Sequence, residues 1–118
     1  MATAPPDPVS RYADMLAAMG SEPRLRIVRL LLTAHPVGMV AGEIGHQLGV
    51  TPPTLSHHLE RLRREGVVAV RRDGTRLWYS AQAEALEGLL QFLFAECCTR
   101  SCACDPERIT EDVTRSHS

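Results

Sequence analysis

Residues 51–80 read Thr51-Pro-Pro-Thr-Leu-Ser-His-His-Leu-Glu-Arg-Leu-Arg-Arg-Glu-Gly-Val-Val-Ala-Val-Arg-Arg-Asp-Gly-Thr-Arg-Leu-Trp-Tyr-Ser80, and halfway along them the apolar period changes from 3.6 to 2. Leu55, Leu59 and Leu62 recur four and three residues apart, the buried stripe of a helix. Thr51 stands at its N-cap, Pro52 and Pro53 fill its first turn, and Gly66 lies past its end. Residues 67–70 and 75–80 then alternate as strands do. Arg71-Arg72-Asp73-Gly74 supplies the Asp-Gly signal of a tight hairpin turn, which places Arg71 and Arg72 at the hairpin tip.

Upstream, Val40, Ile44 and Leu48 at four-residue spacing predict a short helix that Gly49 stops. A helix, a tight glycine-containing turn and a second helix therefore precede the hairpin. Leu25, Val28, Leu31 and Leu32 mark an earlier helix capped by Ser21, with Pro23 in its first turn and residues 35–38 breaking it. Tyr12, Met15, Leu16 and Met19 mark the first helix, closed by Gly20. Downstream, Leu86, Leu89, Leu90, Leu93 and Cys97 follow one face of a last helix predicted over residues 83–98. The order helix, helix, helix–turn–helix, hairpin, helix predicts a mainly α winged helix–turn–helix with a β-hairpin wing. Residues 1–8, with three prolines, are expected to form a flexible arm, residues 9–98 the DNA-binding and dimerisation domain, and residues 99–118 a cysteine-containing tail.

A chain of 118 residues, 44% of them hydrophobic, suits one globular domain. No apolar run approaches the roughly 20 residues of a membrane span, and the first residues lack the basic start and apolar stretch of a secretory signal, so a cytoplasmic protein is expected. Charge is uneven along the chain. Residues 21–80 carry nine arginines against five acids, whereas residues 81–118 carry three against seven. There is no lysine, so every fixed cation is a guanidinium, the group best matched to phosphate and guanine. A basic middle points to a polyanion partner. An enzyme is disfavoured, because the chain lacks a glycine-rich phosphate loop, a paired acid–base set and a thiol at a helix N-terminus.

The second helix of a helix–turn–helix exposes polar side chains to base edges while its other face packs inward. Thr51, Thr54, Ser56, His57 and His58 alternate here with Leu55 and Leu59. Arg61, Arg63 and Arg64 lie toward the far end of that helix and, with Arg71 and Arg72, suit phosphate contacts that supply affinity and register. Residues 20–32, 55–62, 65–68 and 74–79 together resemble the ArsR/SmtB family of bacterial repressors, most specifically in Ser56-His57-His58 and its spacing from Gly74-Thr-Arg-Leu-Trp-Tyr79. The resemblance implies a homodimer with its first and last helices at the subunit interface, bound to operator DNA until an inducing metal or metalloid binds. Positions at which that family touches bases match Pro52, Pro53, Ser56 and His57; the two prolines replace the usual polar residues and leave only apolar contact, such as with a thymine methyl.

All four cysteines fall within residues 97–104, as Cys97, Cys98, Cys102 and Cys104, and clustered thiolates select soft ions. On a helix, neighbours point about 100° apart, so Cys97 and Cys98 alone would not enclose an ion. A chain leaving the helix near Thr99 would bring Cys102 over the pair, forming a three-thiolate cap suited to pyramidal trivalent arsenic or antimony. Cys104 is then a spare, or a fourth ligand for tetrahedral zinc or cadmium. Within the resembled family, the Cys-x-Cys box at the third helix and the Asp/His zinc set of the last helix are both missing here, while Cys97, Cys98 and Cys102 match the vicinal-pair-plus-one pattern of arsenic-responsive members. Cadmium, lead, zinc, methylated arsenic or oxidation acting through the same cysteines stays open, as does Cys97 serving as a small buried apolar residue. His35, His46 and His117 read as solvated, and Trp78 and Tyr79 as packing residues.

Overall fold

The computed structural model describes residues 7–100, in two compact units, one running to Leu86 and the other starting at Glu87. The elements are α1 (Pro8–Met19), α2 (Glu22–Thr33), β1 (Met39–Val40), α3 (Ala41–Leu48), α4 (Pro52–Arg64), β2 (Val68–Asp73), β3 (Arg76–Ala81) and α5 (Ala83–Phe94). The three strands form one antiparallel sheet in the order β1-β3-β2. This is the expected mainly helical winged architecture. No helix among the described residues is long and apolar enough to cross a membrane.

Local sequence accounts for most of the boundaries. Asp7 accepts a hydrogen bond from the Val9 amide at 3.0 Å, so α1 begins at Pro8, within the span expected to be an arm. Ser21 Oγ accepts from the Arg24 amide at 3.3 Å and starts α2 as anticipated. The buried face of α2 differs from the expected one. Ile27, Val28 and Leu31 are buried, while Leu25 and Leu32 stay 48% and 42% exposed. The stripe is rotated by about one position, because the 3.6 period equally admits Arg24, Ile27, Val28 and Leu31 as one face. On α1, Met15 enters the core and Leu16 remains on the surface.

Met15, Ile27, Leu31, Ile44, Leu59 and Leu62 are fully buried and join α1, α2, α3 and α4 into one core. Each such side chain contributes about 1.5–3 kcal/mol on removal from water. Val67 and Val68 carry the same core into the sheet.

Two features depart from the sequence expectations. Met39 and Val40 form a short strand paired with Tyr79 and Trp78, so α3 starts at Ala41 and Val40 is its extended N-cap. The β2–β3 ladder runs out to Asp73 opposite Arg76, leaving Gly74 and Thr75 as a two-residue loop, with Gly74 at φ +64°. A glycine with positive φ at the first loop position is what such a tight hairpin requires. Arg71 and Arg72 therefore lie on the strand itself, opposite Trp78 and Leu77, rather than at the tip.

Candidate nucleic-acid interface and thiol pair

Gly49 ends α3 in the left-handed region at φ +66°, and the Val50 amide donates to the Gly45 carbonyl at 3.0 Å, closing the turn into α4. Thr51 occupies the N-cap of α4 without capping it through its side chain; its hydroxyl instead donates to Thr54 Oγ1 at 3.1 Å. With Leu55, Leu59 and Leu62 buried, the outer surface of α4 carries Thr51, Pro52, Pro53, Thr54, Ser56, His57 and Arg61, all exposed. Those residues thus lie together on the solvent side of the second helix of the motif. A crevice of about 330 Å³ opens between α3 and α4, with Pro52 and Ser56 on its rim and Tyr79 among its lining, in keeping with a packing role for that tyrosine.

His58 does not share that surface. It is half-buried, its Nδ1 has no hydrogen-bond partner, and burial pushes its pKa below the ordinary histidine value, with the Arg24 and His57 charges adding to the effect. Arg24 is fixed nearby, its Nε donating to the Ala18 carbonyl. A histidine kept neutral in the fold binds protons more readily when unfolded. Its stabilising contribution is complete above the unfolded pKa of about 6.5 and is lost as pH falls from there toward the lowered folded value. The melting temperature should fall between pH 7.5 and 5.5, and His58→Gln should flatten that acid limb; an unchanged slope in the variant would refute the assignment.

The cations divide into two kinds. Arg63 is engaged, donating to both Glu60 carboxylate oxygens at 3.0 and 2.6 Å, and the hydrogen bond lowers the Glu60 pKa. An exposed pair of this kind contributes little stability. Arg61, Arg64, Arg71 and Arg72 are exposed, and no carboxylate among the described residues pairs with them. The Arg71 guanidinium carbon lies 5.7 Å from the centroid of the Trp78 ring. That contact was accessible from sequence, since a two-residue loop at Gly74 and Thr75 puts residue 71 directly opposite residue 78.

In the second unit, α5 ends at Phe94, four residues earlier than expected, and residues 95–100 form consecutive turns. Cys97 and Cys98 are therefore off the helix. Cys98 has φ +63°, and the two Sγ atoms lie 3.3 Å apart without a disulfide between them. The 100° divergence expected of helical neighbours does not apply, and the pair converges. Glu96, Cys98, Thr99 and Arg100 line an open pocket of about 320 Å³ beside it. Among the described residues no group of three histidines, cysteines or carboxylates converges; Cys102, Cys104 and His117 lie outside the described residues.

Residues 19–71 match the family described as helix-turn-helix domain. The chain is 35% identical over 81 residues to the HTH-type transcriptional regulator YgaV of Escherichia coli (strain K12), covering 69% of this chain and 80% of that protein. It is 33% identical over 78 residues to the nodulation protein NolR of Rhizobium meliloti, where the match covers 66% of this chain but only 62% of NolR. Among solved structures it resembles the homodimeric winged helix-turn-helix DNA-binding domain of a possible ArsR-family transcriptional regulator from Mycobacterium bovis. The TM-score is 0.60 at 25% identity, over 81% of this chain and 93% of the other.

Proposed function

The chain belongs to the ArsR/SmtB-like family of winged helix–turn–helix transcriptional regulators, and on that premise we propose that it is a homodimeric repressor released from its operator when trivalent arsenic or antimony binds thiolates of Cys97, Cys98 and Cys102. It is a DNA-binding regulator and not an enzyme. The observation that carries the inducer assignment is the 3.3 Å separation of the Cys97 and Cys98 sulfurs. With metal–sulfur bonds of about 2.3 Å, a tetrahedral ion spaces its sulfurs about 3.8 Å apart, whereas bonds of that length at right angles space them about 3.3 Å. The pair is thus close enough for both sulfurs to bond one soft ion, and it supports a thiolate site without a tetrahedral set of four ligands among the described residues, as pyramidal trivalent arsenic or antimony would use.

Ser56, His57, Thr54 and Thr51 are assigned to base and sugar contacts from the exposed side of α4, with Pro52 and Pro53 in apolar contact. Arg61, Arg71 and Arg72 are assigned to phosphates. Two copies related by a two-fold axis present two such helices, so the operator is an inverted repeat with half-sites about 10–10.5 bp apart. The surface left for a second copy is apolar on each of two helices. Val9 and Leu16 are 57% and 45% exposed on α1, and Leu90 and Leu93 are each 55% exposed on α5. Sedimentation should show a dimer with and without inducer; a monomer that binds operator equally well would contradict the assembly.

The deciding experiment titrates release of labelled operator with arsenite, cadmium, zinc and peroxide under matched conditions, reductant being present for all but peroxide. Arsenite is expected to act at the lowest concentration. Release by cadmium, zinc or peroxide with no response to arsenite would overturn the inducer assignment and leave the repressor intact.

A further inference from the structure

The geometry points to Trp78 as the positioning residue of the wing: its indole holds the Arg71 guanidinium ordered at the surface from which that cation meets the DNA backbone. The inference rests on the assignment of Arg71 to phosphate. Trp78 sits on the central strand of the sheet, paired with Val40 on one side and Arg71 on the other. It is half-buried and its backbone is held from both edges, so the ring is a fixed platform, whereas Arg71 is exposed. The guanidinium carbon at 5.7 Å from the ring centroid is within the roughly 6 Å range of a cation–π contact.

A guanidinium is flat and weakly hydrated, so it can stack on a ring while its N–H edges still point outward to an acceptor. Those edges are not consumed by the protein, since no carboxylate among the described residues pairs with Arg71. Arg72 provides the internal contrast. It is the next residue on the strand, projects from the opposite face, and stands across from Leu77, which offers no ring. The two wing arginines thus differ in preorganisation although both are exposed. Ordering Arg71 before DNA arrives removes part of the entropy that binding would otherwise have to supply.

The experiment is a double-mutant cycle on the full-length protein, with operator affinity measured across a salt series for the parent, Arg71→Ala, Trp78→Leu, the double variant and Trp78→Phe. Arg71→Ala should weaken binding and lower the salt slope by about two units in a dimer, one contact per wing. Trp78→Leu should weaken binding about two- to fivefold per wing, and roughly four- to twenty-fivefold with both wings engaged. In the Arg71→Ala background the same change should cost less than about twofold, and Trp78→Phe, which keeps a ring, should recover part of the loss. Trp78 is the only tryptophan, so its emission reports on this contact directly and should change in Arg71→Ala before any DNA is added. That reading stands even if Trp78→Leu fails to fold.

Additive losses in the cycle, or emission unchanged by Arg71→Ala, would overturn the positioning role while leaving the phosphate contact in place. An unchanged salt slope in Arg71→Ala would instead remove the phosphate contact itself, and the positioning role with it.

Discussion

Cys98→Ser is expected to bind operator within about threefold of the parent and to lose release by arsenite, its midpoint rising at least about a hundredfold. The direction follows from ligand chemistry. A serine hydroxyl is a hard oxygen that keeps its proton at neutral pH, so the substitution removes a soft anionic donor at nearly constant volume. The magnitude follows from proximity. With the two sulfurs 3.3 Å apart, the second bond to an ion already held by the first forms at high effective concentration, and removing either thiol forfeits that gain. Cys97→Ser should behave likewise. Operator affinity is spared because the residues assigned to DNA lie on α4 and the β2–β3 wing. Typical coupling of about 1–3 kcal/mol between inducer and DNA corresponds to operator weakening of about 5- to 150-fold on saturation, which a gel shift resolves.

Two further outcomes divide the donor set. Cys102→Ser should also abolish release, while Cys104→Ser should matter less. Release from Cys102→Ser at the parent midpoint would reduce the site to two thiolates, suited to a methylated arsenic species. Arsenite arrives as neutral As(OH)3, and each arsenic–sulfur bond formed expels one hydroxide that leaves as water with the thiol proton. The arsenite midpoint should therefore change little as pH drops below the thiol pKa values, whereas the midpoint for cadmium, which sheds thiol protons to solvent, should rise. Parental release from Cys98→Ser would remove the vicinal pair from the mechanism altogether.

The fold was legible where local periodicity and turn chemistry agree. Leu55, Leu59 and Leu62 define α4 unambiguously because Thr51, the two prolines and Gly66 bracket them, and all three are buried. The β1 strand was not legible. Met39 and Val40 are extended because Tyr79 and Trp78, some forty residues away, pair with them, and nothing in residues 37–41 announces a partner so distant. The end of α5 failed for the opposite reason. Residues 95–98 contain no glycine or proline and continue an apolar stripe, yet the helix stops at Phe94 and Cys98 takes a left-handed conformation that its own side chain does not favour. A His-His pair on a helix points two ways, and periodicity alone does not show that His58 is the half-buried member and His57 the exposed one. The inferred thiol geometry changed for the same reason as the helix end: once Cys97 and Cys98 leave the helix, the rule separating adjacent side chains no longer governs them.

The same distant pairing makes Gly38→Ala the most crowded alanine substitution among the first unit's described glycines. Gly38 is buried at φ +88°, where an alanine is strained, and a Cβ there would lie 2.2 Å from the Tyr79 carbonyl oxygen and 2.9 Å from its carbon. A backbone carbonyl in a ladder cannot rotate away as a side chain would. Relief requires parting β1 from β3, which sacrifices the Met39–Tyr79 and Val40–Trp78 pairing and loosens the sheet that carries the wing. Strain at positive φ costs about 1–3 kcal/mol, and the lost pairing brings the expected total to about 4 kcal/mol or more. Against a total stability of about 5–15 kcal/mol that is a large fraction, and it should lower the melting temperature by on the order of 15 °C or more. Gly42→Ala is the matched control. It adds the same methyl on α3, where a Cβ meets nothing within 4 Å, and should stabilise by about 0.5–1 kcal/mol through helix propensity. Melts followed by circular dichroism at one protomer concentration separate the two, since a dimer's melting temperature depends on concentration. If Gly38→Ala melts within a few degrees of the parent, the β1–β3 pairing is not what holds the wing, and the fixed platform under Arg71 must come from β2 alone.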